Sequence, residues 1–421
     1  MDLKYFIANI KKSFWSGNAK SITAIICTLI LLPIIINKIG IENYGILSLS
    51  MVFGGLFGNF ELGISKTVTV LFSQSNEKEK SKVFSTALMM IFSLLIFVGI
   101  LFFIVNSNFN IFGENKYIDR ELGNFIVVTS YISVALILIN NLLFASLQGY
   151  LLNHYVDLGW VIFSLCYHLL LIFAAFQLDS IYIIILMPLL AYLIQALFLG
   201  YTLFSKTQLK FGKINKISII PILYTSVDYF KIGLTTIFLQ PINKYLLFYI
   251  TGNAGMLGLF DIALKLGNIS ASLLNATSQP LLAIFSKMKG NIIKINSLSN
   301  KVSIFIFVQY IIGLLIFFVL GKSIVSFLVT ENTQLLYYIS FLLIASMAST
   351  AIFEPFFKFL LSQTPPKYAF YSKLSIPISN VLFFMLIDHS DTLLKITYAF
   401  AISFGVVNNI FTYFFYRKSI S

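Results

Sequence analysis

Twelve times along this 421-residue chain, a run of apolar residues recurs that is long enough to cross a bilayer. A helical span needs about 20 such residues, with a range of roughly 17–25. The runs lie near 14–37, 45–72, 83–105, 122–147, 158–176, 181–203, 226–250, 257–283, 302–320, 335–360, 374–388 and 392–416. In hydrocarbon the backbone has to satisfy its own hydrogen bonds, so each run is expected as a helix. Composition agrees. Charged residues make up 11% of the chain, where a soluble protein carries roughly 25%. Mean hydropathy is +0.90. The expected fold is an all-α polytopic membrane protein with 12 transmembrane helices. The eleventh run, Leu374–Ile387, is short and holds Pro377. Lys4, Lys11 and Lys12 precede the first run as they would in a signal peptide. No small-residue cleavage site follows, so that run reads as an uncleaved first helix.

The net charge of +13 resembles a nucleic-acid signal, but its placement argues against nucleic acid. The N-terminus, the C-terminus and the loops 73–82, 148–157, 204–221, 286–301 and 361–373 together hold 18 Lys or Arg. The loops 38–44, 106–121, 177–180, 251–256, 321–334 and 388–391 hold four. By the positive-inside rule, both termini and the first set are expected in the cytoplasm. Trp15 and Trp160 fall at helix starts on that side, where interfacial aromatics belong. Cys27 and Cys166 lie inside apolar runs, and His154, His168 and His389 are scattered, so neither a disulfide framework nor a metal site is expected. No loop is long enough for a soluble catalytic module, and no catalytic residues or cofactor are expected.

The basic loop 204–221, with Lys206, Lys210, Lys213 and Lys216, falls mid-chain. It divides the protein into an N-terminal six-helix lobe, 1–210, and a C-terminal six-helix lobe, 211–421. Each half carries a Pro in its first helix (Pro33, Pro241) and then a Gly-flanked turn (Gly40 and Gly45; Gly252, Gly255 and Gly258). Six spans per half insert both halves in the same orientation. Such parallel repeats are a transporter layout, with the substrate site at their interface.

The eighth run carries a polar residue at every turn. Asp261, Lys265, Asn268, Ser272, Asn275 and Gln279 follow at spacings of 4, 3, 4, 3 and 4, which is one helical face. Such a face must border water or protein. Asp261 and Lys265 can also neutralise each other as an i, i+4 pair, and the amides and hydroxyl can bond neighbouring helices. The six in register favour a cavity-lining face.

Seven lysines fall within the runs: Lys20, Lys66, Lys231, Lys244, Lys265, Lys358 and Lys395. A Lys at a helix centre costs at least about 2.5 kcal/mol to insert. Lys358 and Lys395 lie near helix ends and can snorkel, as can Lys20. Lys244 shares a face with Gln240 and Thr236. Asp228 with Lys231, Asp261 with Lys265 and Glu354 with Lys358 are spaced to pair on one face. Glu61 and Lys66, five apart, are not. The deep set of Lys20, Lys66, Lys231, Lys244 and Lys265 outnumbers Glu61, Asp228 and Asp261, and that surplus favours an anionic ligand such as phosphate or pyrophosphate. With Asn268, Ser272 and Asn275, these lysines are the candidate substrate-binding residues. Glu61, Asp228, Asp261 and Glu354 are candidates for ion pairing or for coupling to H⁺ or Na⁺.

The run Gly40-Ile41-Glu42-Asn43-Tyr44-Gly45-Ile46-Leu47, then Asn59-Phe60-Glu61-Leu62-Gly63-Ile64, then Ala145-Ser146-Leu147-Gln148-Gly149, resembles bacterial polysaccharide and O-antigen translocases, the Wzx-type flippases. Glu61 stands where an Asp is commoner, and Lys66 where Arg is often seen. The family sits in a superfamily with MATE-type multidrug extruders and peptidoglycan-precursor flippases. The resemblance implies two six-helix lobes around a central cavity and alternating access. The cargo it implies is an undecaprenyl-pyrophosphate-linked oligosaccharide, moved across the bacterial inner membrane for O-antigen or capsule assembly. Its implied partners are that cargo, membrane lipids, and the polymerase and chain-length proteins of the pathway. Two alternatives remain. A cation-coupled drug exporter shares the fold, but the cationic surplus argues against it. A membrane polymerase needs more outside loop than 106–121 provides.

Overall fold

The computed structural model describes residues 3–58, 61, 63–108, 118–178, 180–212, 222, 226–227, 230–235, 240–275, 277–278, 281, 285, 292–363 and 366–420. It is built of helices. α1 (Leu3–Ile26) passes through a π-helical stretch, Cys27–Leu31, into α2 (Leu32–Gly58), which is broken at Gly40. α3 (Ile64–Gln74), α4 (Glu77–Asn108), α5 (Arg120–Gly149), α6 (Asn153–Gln177) and α7 (Ile181–Lys206) follow. Then come α8 (Gln240–Thr251), α9 (Ala254–Asn275), α10 (Ile292–Leu328), α11 (Thr333–Ser362) and α12 (Lys367–Leu386). The chain ends in α13 (Thr392–Ile402), a second π-helical stretch, Ser403–Val407, and α14 (Asn408–Ile420). Among the described residues, 10 helical runs are long and apolar enough to cross a membrane, which makes this a multi-pass membrane protein.

The run expected at 45–72 is not a single helix here, and part of the run expected at 226–250 lies outside the described residues. The 45–72 run is interrupted between α2 and α3, where Glu61 sits outside any helix and Gly63 adopts φ 72°, a left-handed conformation open to glycine at little cost. Other helices begin earlier than their apolar runs: α6 at Asn153, α10 at Ile292 and α12 at Lys367. Polar residues interrupt their opening turns (Asn153, His154 and Asp157; Lys294, Asn296 and Ser297; Lys367, Ser372 and Lys373), so hydropathy alone places the start too late.

The chain gathers into two units. Unit 1 comprises Met1–Cys27 with Lys38–Ile237, and unit 2 comprises Thr28–Asn37 with Phe238–Ser421. In unit 1, α3, α4 and α7 pack on α5, while α6 packs on α7 and α1. α3 and α5 meet without a gap: a Cβ on Gly149 would lie 2.4 Å from the Cβ of Phe72. That contact accounts for the glycine closing the Ala145–Gly149 motif. Beside it, the Tyr150 hydroxyl donates to Glu77 at 2.6 Å, and Lys80 pairs with the same carboxylate at 2.8 Å while lying over the Tyr150 ring. Burial and the Glu77 acceptor both push the Tyr150 phenol upward, so it stays protonated and keeps donating.

The chain after α7 docks back on α4, with the Lys210 amide donating to Ser81 Oγ at 3.2 Å and the Gly212 amide to Ser85 Oγ at 2.9 Å. The start of the basic loop is therefore part of unit 1.

In unit 2, α9, α10, α13 and α14 all pack on α11. α10 runs antiparallel to α11: Ser303 Oγ donates to the Ile352 carbonyl, Tyr310 to the Ala345 carbonyl, and Phe317 stacks on Tyr337. α14 runs parallel to α11. Ser349 meets Asn409, Phe353 meets Tyr413 and Phe356 meets Tyr416.

Candidate functional site

The charged residues of unit 2 converge at the α8–α9 hairpin. Gly252, at φ 59°, turns the chain, and Asn253 Oδ1 accepts from the Met256 amide at 3.1 Å to start α9. Lys244 lies seven residues before the end of α8, and Asp261 seven residues after the start of α9. The hairpin sets them level. Lys244 Nζ bonds Asp261 Oδ1, and Lys265 Nζ approaches Oδ2 at 3.4 Å. Asp261 is only 4% exposed. The Lys244 and Lys265 side chains are 16% and 28% exposed.

Two ammonium groups thus share one buried carboxylate. The face then opens along α9: Lys265 is half-buried, while Asn268 and Ser272 are exposed and Asn275 is half-buried. Gln279, the last of the expected stripe, lies outside the described residues. On the opposite side of α9, Gly267 lets the helix sit against Met347 and Leu343 of α11. One side of α9 is therefore fixed by packing and the other is polar. The Asp261–Lys265 pair was readable from its spacing of four. The Lys244–Asp261 bond was not, because it depends on the hairpin; a turn centred between the two residues was its only signal.

Unit 1 holds two further groups. Lys20 of α1 lies 5.1 Å from the ring centroid of Trp160 on α6 and interacts with Asp157, whose carboxylate accepts from Ser16 Oγ at 2.5 Å. α1 and α6 run parallel here, so Ser16 and Lys20 face Asp157 and Trp160 one turn apart. Asp157 was not among the expected residues, because 148–157 reads as a loop. With α6 starting at Asn153, it belongs to the helix. In the second group, Glu61 accepts from Ser65 Oγ at 2.5 Å, and both Lys66 and Asn141 interact with it. The break before α3 brings Glu61 and Lys66 into interaction despite their spacing of five. Lys66 and Lys231 are exposed. Asp228 lies outside the described residues.

Elsewhere in unit 2, Glu354 pairs with Lys358 at 2.9 Å. Lys373 is a second residue missed in the sequence, again by a late helix start. It lies two turns into α12, 3.4 Å from Asn408 Oδ1 and 4.4 Å from the centroid of the Phe357 ring. Around it Ser372 bonds Thr412, and Asn409 bonds both Ser349 Oγ and the Gly405 carbonyl. A π-helical stretch leaves backbone carbonyls without their usual partner, and these side chains supply donors at Gly405. No cluster of three or more His, Cys, Asp or Glu that could hold a metal occurs among the described residues.

The chain is thus a helical multi-pass protein with paired charges held inside its helical units. Solved structures agree on the fold. An inward-facing multidrug resistance MATE family transporter of the MOP superfamily superposes with a TM-score of 0.72 at 15% identity, over 95% of this chain and 98% of that one. The lipid II flippase MurJ, inward closed, gives 0.62 at 15% identity, over 97% and 87%. A MOP superfamily transporter from Pyrococcus furiosus, noted for the reverse polarity of its binding pocket, gives 0.59 at 15%, over 98% and 95%. The fold is MATE-like. Residues 10–289 match the polysaccharide biosynthesis protein family, and the chain belongs to that family. No curated protein sequence matches it.

Proposed function

We propose that this protein is a flippase that moves an undecaprenyl-pyrophosphate-linked oligosaccharide from the cytoplasmic to the periplasmic leaflet of a bacterial inner membrane. Both termini lie in the cytoplasm, transport proceeds by alternating access, and the product feeds O-antigen or capsule assembly. Family membership supports a role in polysaccharide biosynthesis. The observation that carries the reading is the Lys244–Asp261–Lys265 group opening onto Asn268 and Ser272. Two ammonium groups with neighbouring amide and hydroxyl donors suit a pyrophosphate oxygen cluster, which Lys binds as a point charge. Lys20, Lys66 and Lys231 add positive charge along the cargo path. Glu61, Asp228 and Glu354 serve ion pairing or coupling to H⁺ or Na⁺.

The test uses one strain lacking the protein and one carrying Lys265→Ala. Undecaprenyl-linked glycans are extracted, and the leaflet that holds them is determined. Complete repeat units accumulating on the cytoplasmic face in both strains is the expected result. Unpolymerised units on the periplasmic face would instead make the protein a polymerase or its helper. The MATE fold also accommodates a cation-coupled drug exporter; raised sensitivity to lipophilic cations, with glycan export intact, would select that reading.

A further inference from the structure

The Asp261 carboxylate sits where an anionic ligand would be expected to bind. Lys244 engages its Oδ1 and Lys265 its Oδ2, so the two ammonium groups straddle one pair of oxygens. A phosphate presents the same arrangement of two oxygens with more charge. We propose that Asp261 is the resident occupant of a phosphate subsite, an internal anion that the cargo's pyrophosphate displaces and that reclaims the lysines when cargo leaves. The inference rests on the reading of this group as the cargo's anion site, and it adds how the site is kept closed and how it lets go.

Three features carry it. The carboxylate is buried, so it is held in place rather than sampling solvent. The two lysines are unequal. Lys244 is the more buried and makes the closer contact, while Lys265 stands 3.4 Å away with 28% of its side chain exposed. A flexible four-carbon stem held less closely to the carboxylate is the arm that meets an incoming anion first. Beyond Lys265, Asn268 and Ser272 are exposed one and two turns along the same face, placed to take further phosphate oxygens as the ammonium swings out. Competition from Asp261 lowers apparent affinity, because the ligand must select the state in which the lysines are released. For a transporter this is useful, since a site that binds too tightly does not empty. A purely structural ion pair would keep its geometry whether or not ligand is present.

The experiment titrates the full-length protein, purified in detergent, with inorganic pyrophosphate and reads thermal stabilisation. Asp261→Asn is expected to respond at a roughly tenfold lower concentration than the parent, the change that removing about 1.4 kcal/mol of competition produces. Glu121→Gln makes the same change in net charge at an exposed position on α5 and should leave the response at the parent's value. An equal or weaker response in Asp261→Asn overturns the role of Asp261 while leaving the anion site standing. No response in either protein removes the anion site, and this inference with it. Should Asp261→Asn not fold, Lys265→Gln decides, because it keeps the Lys244–Asp261 bond. A response lost there supports the proposal, and an unchanged one overturns it.

Discussion

Lys244 and Asp261 lie level across a hairpin whose turn, at Gly252-Asn253, falls midway between them in sequence. This bond ties α8 to α9, and it should dominate the stability of the charged group. Lys244→Met takes away the closer of the two ammonium groups and leaves the buried carboxylate to the looser Lys265 contact, so it is expected to cost about 1.5–3 kcal/mol, the worth of a hydrogen bond to a charged group, in unfolding measurements on purified protein. Lys265→Met, at the looser and more exposed contact, should cost about 1 kcal/mol or less. The reverse order would make Lys265 the principal partner.

Gly149 has no room for a side chain. Gly149→Ala puts a methyl 2.4 Å from the Phe72 Cβ, so α3 and α5 must separate. Overpacking of this kind costs about 1–3 kcal/mol. Phe72→Ala in the same protein should not restore the melting temperature, because the clashing Cβ remains. Full rescue would show that the ring, rather than helix separation, is at fault.

The Lys20, Trp160 and Asp157 group should behave as one unit. A double-mutant cycle between Lys20→Met and Trp160→Leu is expected to return a coupling of about 0.5–2 kcal/mol, as for a partly desolvated cation over an indole. Additive losses would mean that the ammonium and ring merely lie close together.

Asn409 donates to both the Gly405 carbonyl and Ser349 Oγ. Asn409→Leu keeps the volume and removes both bonds. It should destabilise unit 2 by about 1–3 kcal/mol and speed hydrogen exchange through Ser403–Val407. Unchanged exchange would mean that the π-helical stretch holds without this side chain.

Class and fold were legible because hydrocarbon leaves the backbone so few options. Span locations followed from apolar length, and Gly40, Gly63 and Gly149 in the family-like motifs each mark a break or close approach of helices. Helix starts were less legible. Asp157 and Lys373 escaped notice because opening turns interrupted by polar residues read as loop, although the helices run through them. Pairings between helices were least legible. Spacing identified Asp261–Lys265 and Glu354–Lys358, both within one helix. The Lys244–Asp261 and Lys20–Trp160 contacts depend on how two helices pack, which periodicity within either one does not encode.

α10 carries one narrow seam of buried residues, among them Ser299, Ser303, Ile306, Phe317 and Gly321, and a broad exposed surface of Ile, Phe, Val and Leu. On that outer surface the sequence specifies a solvent rather than a partner. A library randomising Phe305, Val308, Ile312 and Val319 among apolar residues should retain function in most members. The same treatment of the seam should retain it in few. Over evolutionary time, the outside of α10 is therefore free to drift in letter while holding to a single word, oil.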